Sequence, residues 1–146
     1  MTIYTIGFTK KSAETFFSLL QANDIDRLID VRLNNVSQLA AFAKRDDLQY
    51  FLRTLCNIDY VHMPMLAPTD DILKAYKSKS ITWDDYAVRF LDLMDHRSVD
   101  EAVDQSAIER SCLLCSEHQP HHCHRRLVVE FLNDRWQSNL AVKHLV

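Results

Sequence analysis

The chain of 146 residues contains a single glycine, Gly7, and only three prolines. Loops that cradle nucleotide phosphates bring backbone N–H groups close to the ligand by dispensing with Cβ atoms, and they need several glycines to do so. Neither a Walker loop nor a dinucleotide fingerprint can be written on this sequence. No uninterrupted apolar run approaches the length of a membrane span, so no membrane partner is expected. Excess charge is also missing: a formal net charge of -3 provides no global attraction for nucleic acid, although a local basic patch can still bind phosphate. Met1-Thr2-Ile3-Tyr4 enters a strand-like pattern with no basic leader and apolar segment before it, which predicts no export signal and a cytoplasmic location.

What is present is ordinary for a globular chain. Hydrophobic residues make up 47% and charged residues 25%, enough for one domain over 1–146 with its own core. Four cysteines in a chain expected to meet a reducing compartment argue against a disulfide framework. They are read instead as metal ligands, reactive thiols or buried apolar residues.

Strand and helix patterns alternate. Ile3 to Ile6 reads as a strand closed by Gly7, and Ser12 caps a helix with Phe16, Phe17 and Leu20 on its inner face. Ile25 to Val31 reads as a second strand, Leu33 to Arg45 as a loop, and Asp47 to Cys56 as a helix with Leu48, Phe51, Leu52 and Leu55 on one side. Ile58 to His62 is a third strand stopped by Pro64, followed by a loop and a short helix through Ile72, Leu73 and Tyr76. Thr82 with Asp85 three residues on marks a helix start, and Ser98 with Glu101 marks another that runs through Ala102, Val103 and Ile108. Cys112 to Cys115 is a short buried strand, a helix starts near Cys123 to Arg125 and continues to Trp136, and Leu140 to Val146 is the last strand. This alternation predicts an α/β fold: a mostly parallel, open, Rossmann-like sheet of about five strands with helices on both faces.

Chemistry-bearing residues crowd into one stretch, from Cys115 through Glu117, His118, His121, His122, Cys123 and His124 to Arg125 and Arg126. In a parallel sheet this loop lies at the carboxyl end of its strand, where open α/β sheets bind ligands. If strand one neighbours the cysteine strand, then Gly7 to Thr9, Asp30 to Arg32 and Cys115 to Arg125 share one crevice. A thiol beside cations at a helix start ionises more readily, and the same helix end attracts anions.

Several segments together resemble the domain-of-unknown-function family numbered 488. They are Thr5-Ile6-Gly7-Phe8-Thr9, Ile29-Asp30-Val31-Arg32, Ile58-Asp59-Tyr60 ahead of His62 and Pro64, and Leu114-Cys115-Ser116-Glu117 with Pro120 and Cys123-His124-Arg125. The resemblance implies an α/β domain with a site at Cys115, Glu117, Cys123, His124 and Arg125, joined by Asp30 and Arg32. Leu33-Asn34-Asn35-Val36-Ser37 and Leu66-Ala67-Pro68 depart from the family's proline-serine-arginine and leucine-glycine patterns, and both should border that site.

The leading functional reading is a small enzyme with Cys115, Glu117, Cys123 and His124 as catalytic groups. Asp30, Arg32, Arg125, Gly7 and Thr9 would then bind an anionic, phosphate- or nucleotide-like ligand. A second reading is a sensing or binding module without chemistry, in which Cys115, His118, Cys123 and His124, with His121 or His122 as alternatives, hold zinc or iron. The spacing has no paired Cys-x-x-Cys form, so metal ranks below the thiol and anion readings. A nucleic-acid accessory role through Lys10, Lys11, Lys44, Arg45, Lys74, Lys77 and Lys79 ranks third, because acids are interspersed among them. Arg32, Arg125 and Arg126 have salt bridges with Asp30 or Glu117 as their alternative, which suits Arg126 better than the other two, and His62 reads as a core histidine. Cys56, Cys112, Trp83, Trp136, Phe16, Phe17 and Phe131 read as core residues.

Overall fold

The structure is a computed structural model that describes residues 2–36, 41–117 and 122–146. Its strands are β1 (Thr2–Gly7), β2 (Arg27–Asp30), β3 (Asp59–His62), β4 (Ser111–Cys115) and β5 (Ala141–Leu145). All pair in parallel, in one sheet of order β3-β2-β4-β1-β5. The helices are α1 (Ala13–Gln21), α2 (Arg45–Phe51), α3 (Asp70–Lys77), α4 (Trp83–His96), α5 (Val99–Ala102), α6 (Gln105–Ile108) and α7 (His124–Trp136).

The central place of β4 follows from its composition. All of its residues are buried, as a strand covered on both faces must be. Successive side chains point to opposite faces, so Leu113 and Cys115 join a core with Phe90, Met94, Leu127 and Leu132 of α4 and α7. Cys112 and Leu114 join the opposite core with Phe16, Phe17, Leu20 and Leu48 of α1 and α2. The result is the three-layered α/β arrangement expected from the alternation, with β1 and β2 flanking the cysteine strand.

Helix starts lie where capping chemistry puts them. The Ser12 hydroxyl accepts from the Thr15 N–H at 3.1 Å, Thr69 caps α3, and Thr82 and Asp85 form a reciprocal capping box at α4. Two elements differ from expectation. The helix predicted from Ser98 through Ile108 is broken in two, because Val103 is extended with its side chain in the core and the Asp104 carboxylate caps a fresh helix by accepting from the Ser106 N–H. Ser98 has φ 52° and caps nothing with its side chain. The helix predicted to end at Cys56 does so through a π-helical turn, Leu52–Cys56, closed by Asn57 in the left-handed conformation.

Parallel pairing places every carboxyl strand end on the same edge. Gly7 is level with Cys115, and Asp30 is level with both Leu114 and His62. Among the described residues no helix is long and apolar enough to cross a membrane.

Candidate functional site

The site begins where β4 ends. Cys115 is 1% exposed, and the chain beyond it folds over β1, with the Thr9 N–H donating to the Ser116 carbonyl at 3.0 Å and the Thr9 hydroxyl donating to the same oxygen. Gly7 lies directly beneath this crossing. A Cβ at that position would coincide with the Glu117 carbonyl and approach Arg125 Nη1 to 2.6 Å, so the chain's one glycine is required by space alone. Its φ is not positive.

Arg125 supports the crossing from below. It is fully buried, and its Nη1 donates to the Glu117 carbonyl at 2.5 Å and to Cys115 Sγ at 3.2 Å. Burial lowers its pKa to about 10, still well above neutrality, so the group remains a guanidinium cation.

At the end of β2 a second buried network forms. The Asp30 carboxylate accepts from the Arg32 backbone N–H at 3.1 Å, from Arg32 Nε and Nη2 at 2.8 Å each, and from the Tyr60 hydroxyl at 2.6 Å. Asn35 Nδ2 donates in turn to the Tyr60 oxygen at 3.1 Å. The Tyr60 pKa is raised, first by burial and then by the carboxylate it serves. Asp30 is therefore saturated with donors. Arg32 is not exhausted: its Nη1 is buried and has no hydrogen-bond partner among the described residues. Such a group carries a desolvation cost until something accepts from it.

Two imidazoles hold the backbone that carries Arg32. His62 Nε2 meets the Arg32 carbonyl at 2.8 Å and His124 Nε2 meets the Val31 carbonyl at 2.7 Å. A carbonyl only accepts, so each Nε2 bears the proton. Burial pushes the His124 pKa down to about 4. His124 is thus neutral near pH 7, with its lone pair on Nδ1.

His124 opens α7, with Cys123 at the cap position 3% exposed and making no side-chain capping bond. The Arg126 N–H in the first turn donates to the Cys123 carbonyl at 3.2 Å. The structure pairs Cys123 and Cys115 through their sulfurs as a disulfide, with Cα atoms 7.7 Å apart, where the sequence argues against a disulfide framework; reduction frees both thiols.

These groups border a cavity of about 280 Å³. Its lining includes Arg32, Cys115, Cys123 and His124 together with Leu73, Tyr76, Lys77 and Trp83. Of the residues nominated from sequence, Cys115, Glu117, Cys123, His124 and Arg32 border this space, while Asp30, Arg125, Gly7 and Thr9 are not among its lining residues and support those that are. Glu117 has an exposed side chain at the rim. The metal candidates His118 and His121 lie outside the described residues, and among the described residues no three His, Cys, Asp or Glu side chains converge as a metal site.

Sequence reasoning assigned Trp83 to the core, and Tyr76 and Tyr86 no chemistry. The structure lines the cavity with all three, and with the His122 ring stacked 4.9 Å from that of Trp83. Trp83, Tyr86 and Phe90 share one helical stripe, so periodicity cannot tell the buried part from the part that emerges beside a cavity. Cys112 is buried as expected and burial raises its pKa; Cys56 is half-buried against the α1–α2 core.

The fold and the site define a parallel α/β protein with two facing cysteines and a buried arginine at the carboxyl edge of its central strand. The chain belongs to the family described as domain of unknown function DUF488, whose model matches residues 12–132. Comparison with curated proteins and with solved structures gives no match.

Proposed function

We propose that the chain is a small cytoplasmic enzyme whose chemistry runs through the Cys115 thiolate, with Cys123 as partner thiol, acting on an anionic ligand. The observation that carries this reading is the meeting, around one cavity, of both cysteines, His124 at the start of α7 and the spare Nη1 of Arg32. In this reading Arg32 and the first turn of α7 hold the anion, since guanidinium N–H groups and helix N-termini both favour negative charge. Arg125 acts as a positioning residue: it holds the 115–117 backbone and stabilises the charged sulfur. His124, neutral and anchored to Val31, offers Nδ1 as an acceptor toward the ligand.

A second reading, a ligand-binding module without turnover, draws on the saturation of Asp30 and the commitment of His124 Nε2 to a carbonyl. Those contacts leave Glu117 as the carboxylate available for proton transfer.

The test uses two alkylating agents of similar size. Iodoacetate, an anion, should modify Cys115 faster relative to neutral iodoacetamide than it does a free cysteine, and inorganic phosphate should compete. Arg32→Gln should remove the preference. Equal preference in parent and Arg32→Gln proteins would refute anion guidance, and unaltered rates in Cys115→Ser would show that another thiol had been measured.

A further inference from the structure

We propose that the ligand of this site is a nucleoside monophosphate, with its phosphate on Arg32 and its base against the aromatic residues of α3 and α4. The inference rests on the anion reading above and adds the identity of the other half of the ligand.

Three observations carry it. The first is the mixed lining of the cavity. Arg32, with its unpartnered Nη1, and His124 border it. Pro68, Leu73, Tyr76 and Trp83, which have no use for an inorganic anion, border the same space.

The second is the character of the aromatic lining. The Tyr76 and Trp83 rings are 5.8 Å apart, Tyr76 and Tyr86 are 4.9 Å apart, and Trp83 stacks on Tyr86 at 5.2 Å with the ring planes 21° from parallel. The His122 ring lies against Trp83 at 4.9 Å and 21°, the geometry a base would take there on displacing it. The Arg126 guanidinium is 5.7 Å from the Trp83 ring centre, adding a cation beside the same surface. Such a surface takes any nucleobase, because every base has a π-face.

The third is size and charge. A cavity of about 280 Å³ lies just below the roughly 300–1,000 Å³ of small-molecule sites, room for at most one nucleotide. Around it Arg32, Lys77 and Arg125 stand against Asp30 and Glu117, which leaves the balance positive toward a phosphate.

The experiment is calorimetric titration of the full chain, kept reduced, with AMP, GMP, CMP and UMP and with ribose 5-phosphate and inorganic phosphate as probes lacking the base. At least one nucleotide should bind about tenfold or more tightly than ribose 5-phosphate, the margin that stacking of one base supplies. Tyr76→Leu and Trp83→Leu should each erase most of that margin while leaving ribose 5-phosphate affinity and the iodoacetate preference of Cys115 unchanged. Tyr76 is half-buried, so its variant keeps the test valid if Trp83→Leu does not fold. Equal affinity for ribose 5-phosphate and every nucleotide would overturn the base assignment alone. Retained iodoacetate preference with no nucleotide bound would also overturn it and leave the anion site standing. Loss of both would overturn the two together.

Discussion

Replacing Gly7 by alanine adds one carbon and a net two hydrogens, and the structure states where that carbon goes. It would occupy the position of the Glu117 carbonyl, with Arg125 Nη1 2.6 Å away. Neither obstacle yields cheaply. The carbonyl is backbone, and the guanidinium is fully buried and already donates to Glu117 and Cys115. The 116–117 segment must therefore lift, stretching the 3.0 Å bond from the Thr9 N–H to Ser116. Overpacking costs about 1–3 kcal/mol and a weakened hydrogen bond about 1 kcal/mol more, giving roughly 2–4 kcal/mol. For a chain of this length that corresponds to a fall in Tm of roughly 5–15 °C. Thermal unfolding followed by circular dichroism measures it, and peptide mapping after iodoacetate treatment should show slower modification of Cys115, because its supporting loop has moved. Thr9→Ala provides the control: it deletes the hydroxyl bond to Ser116 without intruding on space, and should cost about 0.5–1.5 kcal/mol. A Gly7→Ala protein that melts within about 1 °C of the parent, with Cys115 equally reactive, would refute the crossing described here.

Three further outcomes are expected. Tyr60→Phe removes the 2.6 Å donor to Asp30 and orphans the Asn35 amide, so chemical denaturation should report a loss of about 1–2 kcal/mol; a loss near zero would contradict the network. His124 has a folded pKa near 4 against 6.5 for the free side chain, so the unfolded chain takes up its proton first. The stability this residue contributes is full above about pH 6.5 and is eroded as pH falls toward 4, by up to about 3 kcal/mol. His124→Gln keeps an N–H for the Val31 carbonyl and does not titrate, so the variant should gain on the parent steadily over that window; a stability difference independent of pH would dismiss the claim. Cys112 is fully buried with its pKa raised by burial, and should resist alkylation until the protein is denatured. Native labelling of Cys112 at the rate of Cys115, read by mass spectrometry, would contradict the packing of β4.

The fold was legible because its strands carry a clear signature. Cys112 to Cys115 has no polar side chain to offer to water, and a strand of that kind belongs in the middle of a parallel sheet. Ser12 and Thr82 announced their helices through local hydrogen bonds that depend on nothing distant. The break at Val103 was not legible, since Ala102, Val103 and Ile108 fit a continuous helix; what divides it is the burial of Val103 against α4 and α7, a tertiary contact, and the availability of Asp104 to cap the second piece. Order within the sheet was also hidden, because insertion of β4 between β1 and β2 is decided by packing on both faces and leaves no local trace.

The polar residues of the site were legible as a set, but their division of labour was not. Asp30 and Arg32 are two residues apart on one strand end, and sequence offers both to a ligand; in the fold Arg32 answers Asp30 with three of its donors and turns only Nη1 elsewhere. Arg125 and Cys115 look like rival ligand contacts, yet the guanidinium lies beneath the cysteine and donates to its sulfur. The same cation holds the Glu117 carbonyl, which presses on Gly7. Loop geometry and, in the proposed chemistry, sulfur charge both draw on this one buried side chain, and the two can be separated. Arg125→Lys retains a cation but cannot reach two acceptors with a planar fork. It should shift the pH dependence of Cys115 alkylation less than Arg125→Met does while loosening the loop as much. Identical pH profiles in the two variants would mean that Arg125 serves the backbone alone and that the Cys115 thiolate draws its stability from the start of α7.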